Sequence, residues 1–177
     1  MYEQVPDYRT LAQSLCEWGR CEFHLGHVDE ALGLVRRGTA LVEQHQMRGF
    51  NATGPIMTAA EVLLMAAEAS AAERRAQLLQ DARKACAAAT RHAKRTRDYG
   101  AAESIRLRAV LAWLEGRRDE AESLWNEAAK VARHLGAKPV LAQVHLDLGR
   151  RLGRHGDLER ARALLDEIGS TTQVGAA

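Results

Sequence analysis

The tightest constraint on this chain is a short pattern that returns three times. Residues 26–31 (Gly-His-Val-Asp-Glu-Ala), 116–121 (Gly-Arg-Arg-Asp-Glu-Ala) and 156–161 (Gly-Asp-Leu-Glu-Arg-Ala) share the form Gly-x-x-(Asp/Glu)-x-Ala. Their alanines are Ala31, Ala121 and Ala161, so the intervals are 90 and 40 residues, and the longer one leaves room for an extra unit. Self-similarity at such a period marks a chain built from repeated supersecondary units.

The residues around Gly116 say what each unit is. Downstream, Ala121, Leu124, Trp125, Ala128, Val131, Ala132 and Leu135 follow the i, i+3, i+4, i+7 spacing of an amphipathic helix. Upstream, Ile105, Leu107, Ala109, Val110, Leu111, Ala112, Trp113 and Leu114 form a broader apolar run, as for a helix contacted on more than one side. The glycine between them can take the left-handed conformation that ends a helix. Asp119 and Glu120 then fall in the next helix's first turn, where its dipole favours acids. A small alanine lets two helices approach closely. Each motif is therefore read as the corner of a helical hairpin.

On this reading the first hairpin covers about 8–25 and 28–46, with Ala31, Leu32, Leu34, Val35, Leu41 and Val42 inward. The last covers about 138–154 and 157–168, with Asp157 as N-cap and Leu158, Ala161, Leu164, Leu165 and Ile168 inward. The divergent unit between has helices at Pro55–Ser70 and Ala72–Arg97, and Gly49, Asn51, Gly54 and Pro55 place the longest internal loop at about 47–55. The expected organisation is a single domain over 8–168, in units 8–46, 55–97, 99–135 and 138–168. The ends, 1–7 and 169–177, are expected to be flexible.

Four hairpins at about 40 residues resemble a tetratricopeptide-repeat (TPR) array. Gly19, Ala109 and Gly149 lie twelve residues before Ala31, Ala121 and Ala161, as the family pattern requires, and Val35, Trp125 and Leu165 match its bulky position four after the alanine. The next small position is met by Gly38 and Ala128 and departs at Ile168; the early tryptophan is replaced by Leu15, Ile105 and His145. Long units with Leu135-Gly136 between hairpins also resemble the helical arrays of large bacterial signalling proteins. The resemblance implies an all-α, right-handed superhelical solenoid of about four hairpins, whose first helices line a concave groove. Inner positions carried over are Gln13, Glu17, Arg20 and His24; Glu61, Leu64 and Glu68; Glu103, Arg106, Val110 and Trp113; and Gln143, Asp147, Arg150 and Arg154.

The implied function is a non-catalytic protein- or peptide-binding scaffold. Arg106, Arg150 and Arg154 would make the C-terminal half of the groove basic, fitted to an acidic partner. The alternative is a self-associating (homodimeric) or ligand-sensing regulatory module of a signalling protein carrying a kinase, cyclase, ATPase or transcription-regulating part.

Chemistry of other kinds finds no support. No G-x-S-x-G or G-x-x-x-x-G-K-(S/T) occurs, and no acid pair stands out in an apolar pocket, so no enzyme and no cofactor are expected. His24 and His27 straddle a corner, and no H-E-x-x-H occurs, so no metal is expected. Lys plus Arg is 25 against 23 acids, and no aromatics interleave with the basic stretch Arg83, Lys84, Arg91, His92, Lys94, Arg95 and Arg97. Neither feature favours nucleic acid. That stretch, like Arg150, Arg151, Arg154, His155, Arg160 and Arg162, reads either as a solvated helix face or as a site for an acidic partner. Trp125 is expected in the core, while Trp113 stands between core and groove. Cys16, Cys21 and Cys86 form no C-x-x-C and fit a reduced, cytoplasmic setting, and Cys16 and Cys21 read as buried thiols. No signal peptide and no membrane span are expected.

Overall fold

A computed structural model describes residues 7–96 and 100–169. The described residues form eight α-helices and no strand: α1 (Tyr8–His24), α2 (Val28–Gln44), α3 (Phe50–Ala69), α4 (Ala72–Arg95), α5 (Ala101–Leu114), α6 (Arg118–His134), α7 (Lys138–Leu152) and α8 (His155–Glu167). The protein is all-α, as the periodicity predicts. Arg97 and the expected flexible ends, apart from Asp7 and Gly169, lie outside the described residues. Asp7 caps α1, its carboxylate accepting from the Arg9 and Thr10 amides at 3.2 and 3.3 Å.

The chain divides into two compact units, residues 1–100 and 101–177. In the first, α1 pairs with α2 and α3 with α4, and α3 also packs on both α1 and α2. In the second, α5 pairs with α6 and α7 with α8, while α7 packs on α6 and α5. Each unit is thus one helical hairpin stacked on another.

The corners confirm the glycine argument and correct it in one place. Gly26 and Gly116 have φ of 88° and 81°. At both, the next amide bonds back across the helix end (His27 N to Glu22 O and Arg117 N to Ala112 O, each 2.9 Å), closing the carbonyls a helix terminus leaves open. In the last hairpin the left-handed residue is Gly153, φ 67°, and Gly156 lies inside the first turn of α8. Asp157 is therefore not the N-cap. It is buried and takes a hydrogen bond of 2.7 Å from His145 Nδ1, a polar tie between α8 and α7. Ile168, expected inward, is 38% exposed because α8 ends at Glu167.

Helix α3 starts earlier than predicted. The stretch read as a loop is helical from Phe50, with Gly49 at its cap and Pro55 in its second turn. Local signals lose to packing here, because Ala52, Thr53 and Pro55 are buried and Gly54 lies against the Gln13 side chain. Helix α3 is apolar on nearly every face, as a helix packed by three neighbours must be. A core of Cys16, Ala31, Val35, Ala59 and Val62 joins α1, α2 and α3, and one of Ala142, Leu146, Ala161 and Leu165 joins α7 and α8.

Small residues set how closely the helices nest. A Cβ on Gly38 would sit 2.5 Å from Cys16 Sγ and 2.9 Å from the Ala12 carbonyl oxygen. Exposed Gly33, on the same helix, has nothing within 4 Å. Gly38→Ala is therefore expected to cost about 1–3 kcal/mol through overpacking. Gly33→Ala should gain about 0.5–1 kcal/mol from helix propensity. Urea unfolding followed by circular dichroism measures both.

Candidate functional site

The first helix of each hairpin carries most of the groove positions taken over from the resemblance, and the structure brings them together in two sets. In the first unit, Gln13 Nε2 and Thr58 Oγ1 both donate to Glu17 Oε1, at 2.8 and 3.1 Å. The other Glu17 oxygen pairs with Arg20, whose Nη1 also lies 3.8 Å from Glu61 Oε2. One polar network therefore spans α1 and α3. His24 stands outside it, exposed, with its ring edge-on to Phe23 at 5.9 Å.

The second unit repeats the arrangement with a different balance of charge. Arg106 donates to Glu103 from Nε (3.0 and 3.2 Å) and Nη2 (2.7 Å), and from Nη1 to Asp147 Oδ2 at 3.0 Å. Arg151 adds a looser contact to Asp147 at 3.7 Å. The links Glu17–Thr58, Arg20–Glu61 and Arg106–Asp147 each join a first helix to the next first helix, and each spans 41 residues.

Two sequence expectations change. Arg106 is only 4% exposed and held by two carboxylates, so it lends no positive charge to the surface. Trp113 is half-buried and turned toward α6, its ring 5.9 Å from that of buried Trp125 and the Arg118 guanidinium 5.2 Å from its centre. Gln143 is half-buried and Arg150 exposed, and Arg154 pairs with Glu122. Of the two thiols expected to be buried, Cys16 is and Cys21 is not, its side chain lying exposed on α1; Cys86 is buried as well. Burial pushes the Cys16 thiol up to about 12, with Glu17 adding to the shift, so it stays protonated and inert.

At the first corner, Glu22, His27 and Glu30 bring three potential ligand atoms within 4.8 Å of one another. The second unit shows what such a corner does. There Arg117, 90 residues after His27, pairs with Glu115 and Glu120. At the first corner His27 pairs with Glu22 at 2.6 Å, with Glu30 close by. Its hydrogen bonds from His27 and Trp18 hold the Glu22 carboxyl below the usual range.

A concavity of about 640 Å³ lies in the first unit. Its floor is Ile56, Ala59 and Leu63 of α3, and its walls are α2 and α4. The basic stretch of α4 contributes Lys84, Arg91, His92 and Arg95. Arg36 and Arg48 face them from α2 and the segment after it. Only the α4 half of this set is a cluster along the sequence; the rest is assembled by stacking.

Breaking a buried ion pair costs far more than breaking an exposed one. Arg106→Ala, which strands Glu103 and Asp147, is expected to cost about 3–5 kcal/mol. Arg20→Ala, at a side chain 44% exposed, should cost no more than about 1 kcal/mol. Chemical denaturation of the two variants tests the contrast. Compared with known proteins, the chain matches no family model and no curated sequence.

Proposed function

We propose that this chain is a non-catalytic protein- or peptide-binding scaffold of the TPR-like kind, a right-handed superhelical solenoid of about four hairpins. The observation that carries the reading is the polar network joining successive first helices, recurring in each unit at a separation of 41 residues. It holds the first helices side by side and leaves their polar face to a partner. Such faces bind extended or helical segments through many modest contacts on a pre-formed surface. The carried-over positions nearest solvent are Arg20 and His24 in one unit and Arg150 and Arg154 in the other, with Arg20 engaged by Glu17 and Arg154 by Glu122. With Arg106 neutralised, an acidic partner would meet Arg150 and would compete with Glu122 for Arg154. The odd set of free thiols supports a reducing, cytoplasmic setting. No described helix is long and apolar enough to cross a membrane.

One observation favours self-association as a second reading. Leu11 and Trp18 of α1 and Leu25 at its C-cap are 44%, 53% and 68% exposed and recur every seven residues. An apolar stripe of this spacing suits a helix–helix contact.

Arg150→Glu combined with Arg154→Glu is expected to abolish capture of the partner by immobilised protein while leaving the circular dichroism spectrum unchanged. Equal capture by wild type and variant would overturn the acidic-partner reading. For self-association, light scattering over a dilution series should show a mass that falls with concentration in the wild type and is monomeric throughout in Trp18→Glu.

A further inference from the structure

The cavity between α2 and α4 is bridged along one part and open at one end. Arg74 pairs with Asp29, and Arg36 lies 3.6 Å from Asp81. Each pair joins residues 45 apart, and the two rungs are seven residues apart on both helices, so α2 and α4 run side by side in the same direction. Beneath them Ile56, Ala59 and Leu63 of α3 are barely exposed, at 7%, 2% and 8%. The accessible space therefore lies beyond the Arg36–Asp81 rung, where α2 and α4 finish at Gln44 and Arg95.

That end gathers positive charge. Arg48 follows α2, and Arg91, His92 and Arg95 fall in the last five residues of α4; all four line the cavity. No carboxylate pairs with Arg48, Arg91 or Arg95 among the described residues. Asp81 is engaged by Arg36, which leaves Glu43 as the other acid in the lining. Three guanidiniums thus face one carboxylate, an excess that matches a doubly charged anion. The apolar floor behind them is a low-dielectric wall, which strengthens their field in the opening.

The second unit shows the same place without this cluster. Ninety residues on, Gln46 and Arg48 correspond to Gly136 and Lys138. Lys138 is answered by Glu167 of α8, whereas Arg48 meets arginines on α4. The turn differs as well. Gly26, Gly116, Gly136 and Gly153 supply the left-handed residue after α1, α5, α6 and α7. After α2 it is Gln46, φ 47°, the one non-glycine residue with positive φ among those described. A side chain retained where glycine is the easier choice points to a use for that side chain. Gln46 lines the cavity beside Arg48, and its amide can donate to an anion.

We propose that the open end of this cavity binds the phosphate group of a small molecule, between Gln46 and Arg48 on one side and Arg91 and Arg95 on the other. Arginine forks grip phosphate oxygens in pairs, and a tetrahedral anion presents oxygens to both walls at once. His92 reports occupancy. Partial burial, then Arg95 and Arg91, hold its pKa below the usual histidine value. The other charged groups in the lining are Lys84 and Asp81 on α4, Arg36 and Glu43 on α2, and Arg48 beyond it; α3 supplies none. A bound dianion offsets this positive field and raises the His92 pKa.

The test is calorimetric titration of the full chain, at fixed ionic strength, with inorganic phosphate and with phenyl phosphate. Saturable binding of both assigns recognition to the phosphate group itself; binding of the ester alone assigns the site to a phosphate ester, and either result supports the proposal. Nuclear magnetic resonance should show the His92 titration midpoint moving upward when the site is filled. Arg91→Glu with Arg95→Glu should weaken binding about tenfold or more, and Glu43→Gln should strengthen it about threefold. Gln46→Gly should raise the melting temperature, because glycine relieves the left-handed turn, and yet weaken binding about threefold. That pairing of gain and loss needs no variant that risks misfolding. The Arg150→Glu and Arg154→Glu variant should bind phosphate as wild type does, so this site and the first-helix face fail independently. No saturable binding of either anion at millimolar concentration overturns the proposal. So does unchanged affinity in Gln46→Gly or in the folded charge-reversed variant, or a His92 midpoint that stays in place at saturation.

Discussion

Close approach between helices is the constraint from which the rest of this structure follows. A Cβ on Gly19 would stand 2.9 Å from both the Ala31 carbonyl oxygen and Val35 Cγ1, and one on Gly149 would meet Leu158 at 2.4 Å. The backbones of the first and last hairpins are therefore as near as glycine permits. Helices nested that closely bury their apolar stripes against each other and leave a second face for the neighbouring hairpin. Stacking then fixes everything with functional meaning: which side chains of successive first helices meet, and how wide the gap between α2 and α4 becomes.

Much of this architecture is legible in the sequence because it is encoded locally. The corners at Gly26 and Gly116 are readable because only a left-handed residue lets the chain turn there, and because acids follow in the next turn. The last corner is misread for the same reason. Gly153 and Gly156 are both available, and the φ that separates them depends on Asp157 being drawn inward to His145, twelve residues back on another helix. The start of α3 is misread because Gly54-Pro55 is a strong loop signal in isolation, and only burial by neighbouring helices overrides it.

The candidate surfaces were less legible, since they depend on which charges find partners. Arg106 looks like an exposed cation on a helix surface, and nothing within a turn or two of it reveals Asp147. The basic stretch of α4 is visible as a stretch, but its facing wall on α2 and its floor on α3 belong to other segments. Contrasting fates result. In the second unit the cation is matched by acids and becomes part of the scaffold, while along α4 several cations are left to solvent.

Helix α3 has one more implication, for how the chain is made. Its sides are apolar almost all round, and the last cover it receives is α4, a helix of 24 residues that follows it in the chain. During synthesis α3 leaves the ribosome before that cover exists. The growing polypeptide must carry a greasy rod, shielded on two sides only, until another stretch of translation is complete. That interval is when a chaperone has most to hold, and when a pause in elongation would favour clumping over folding.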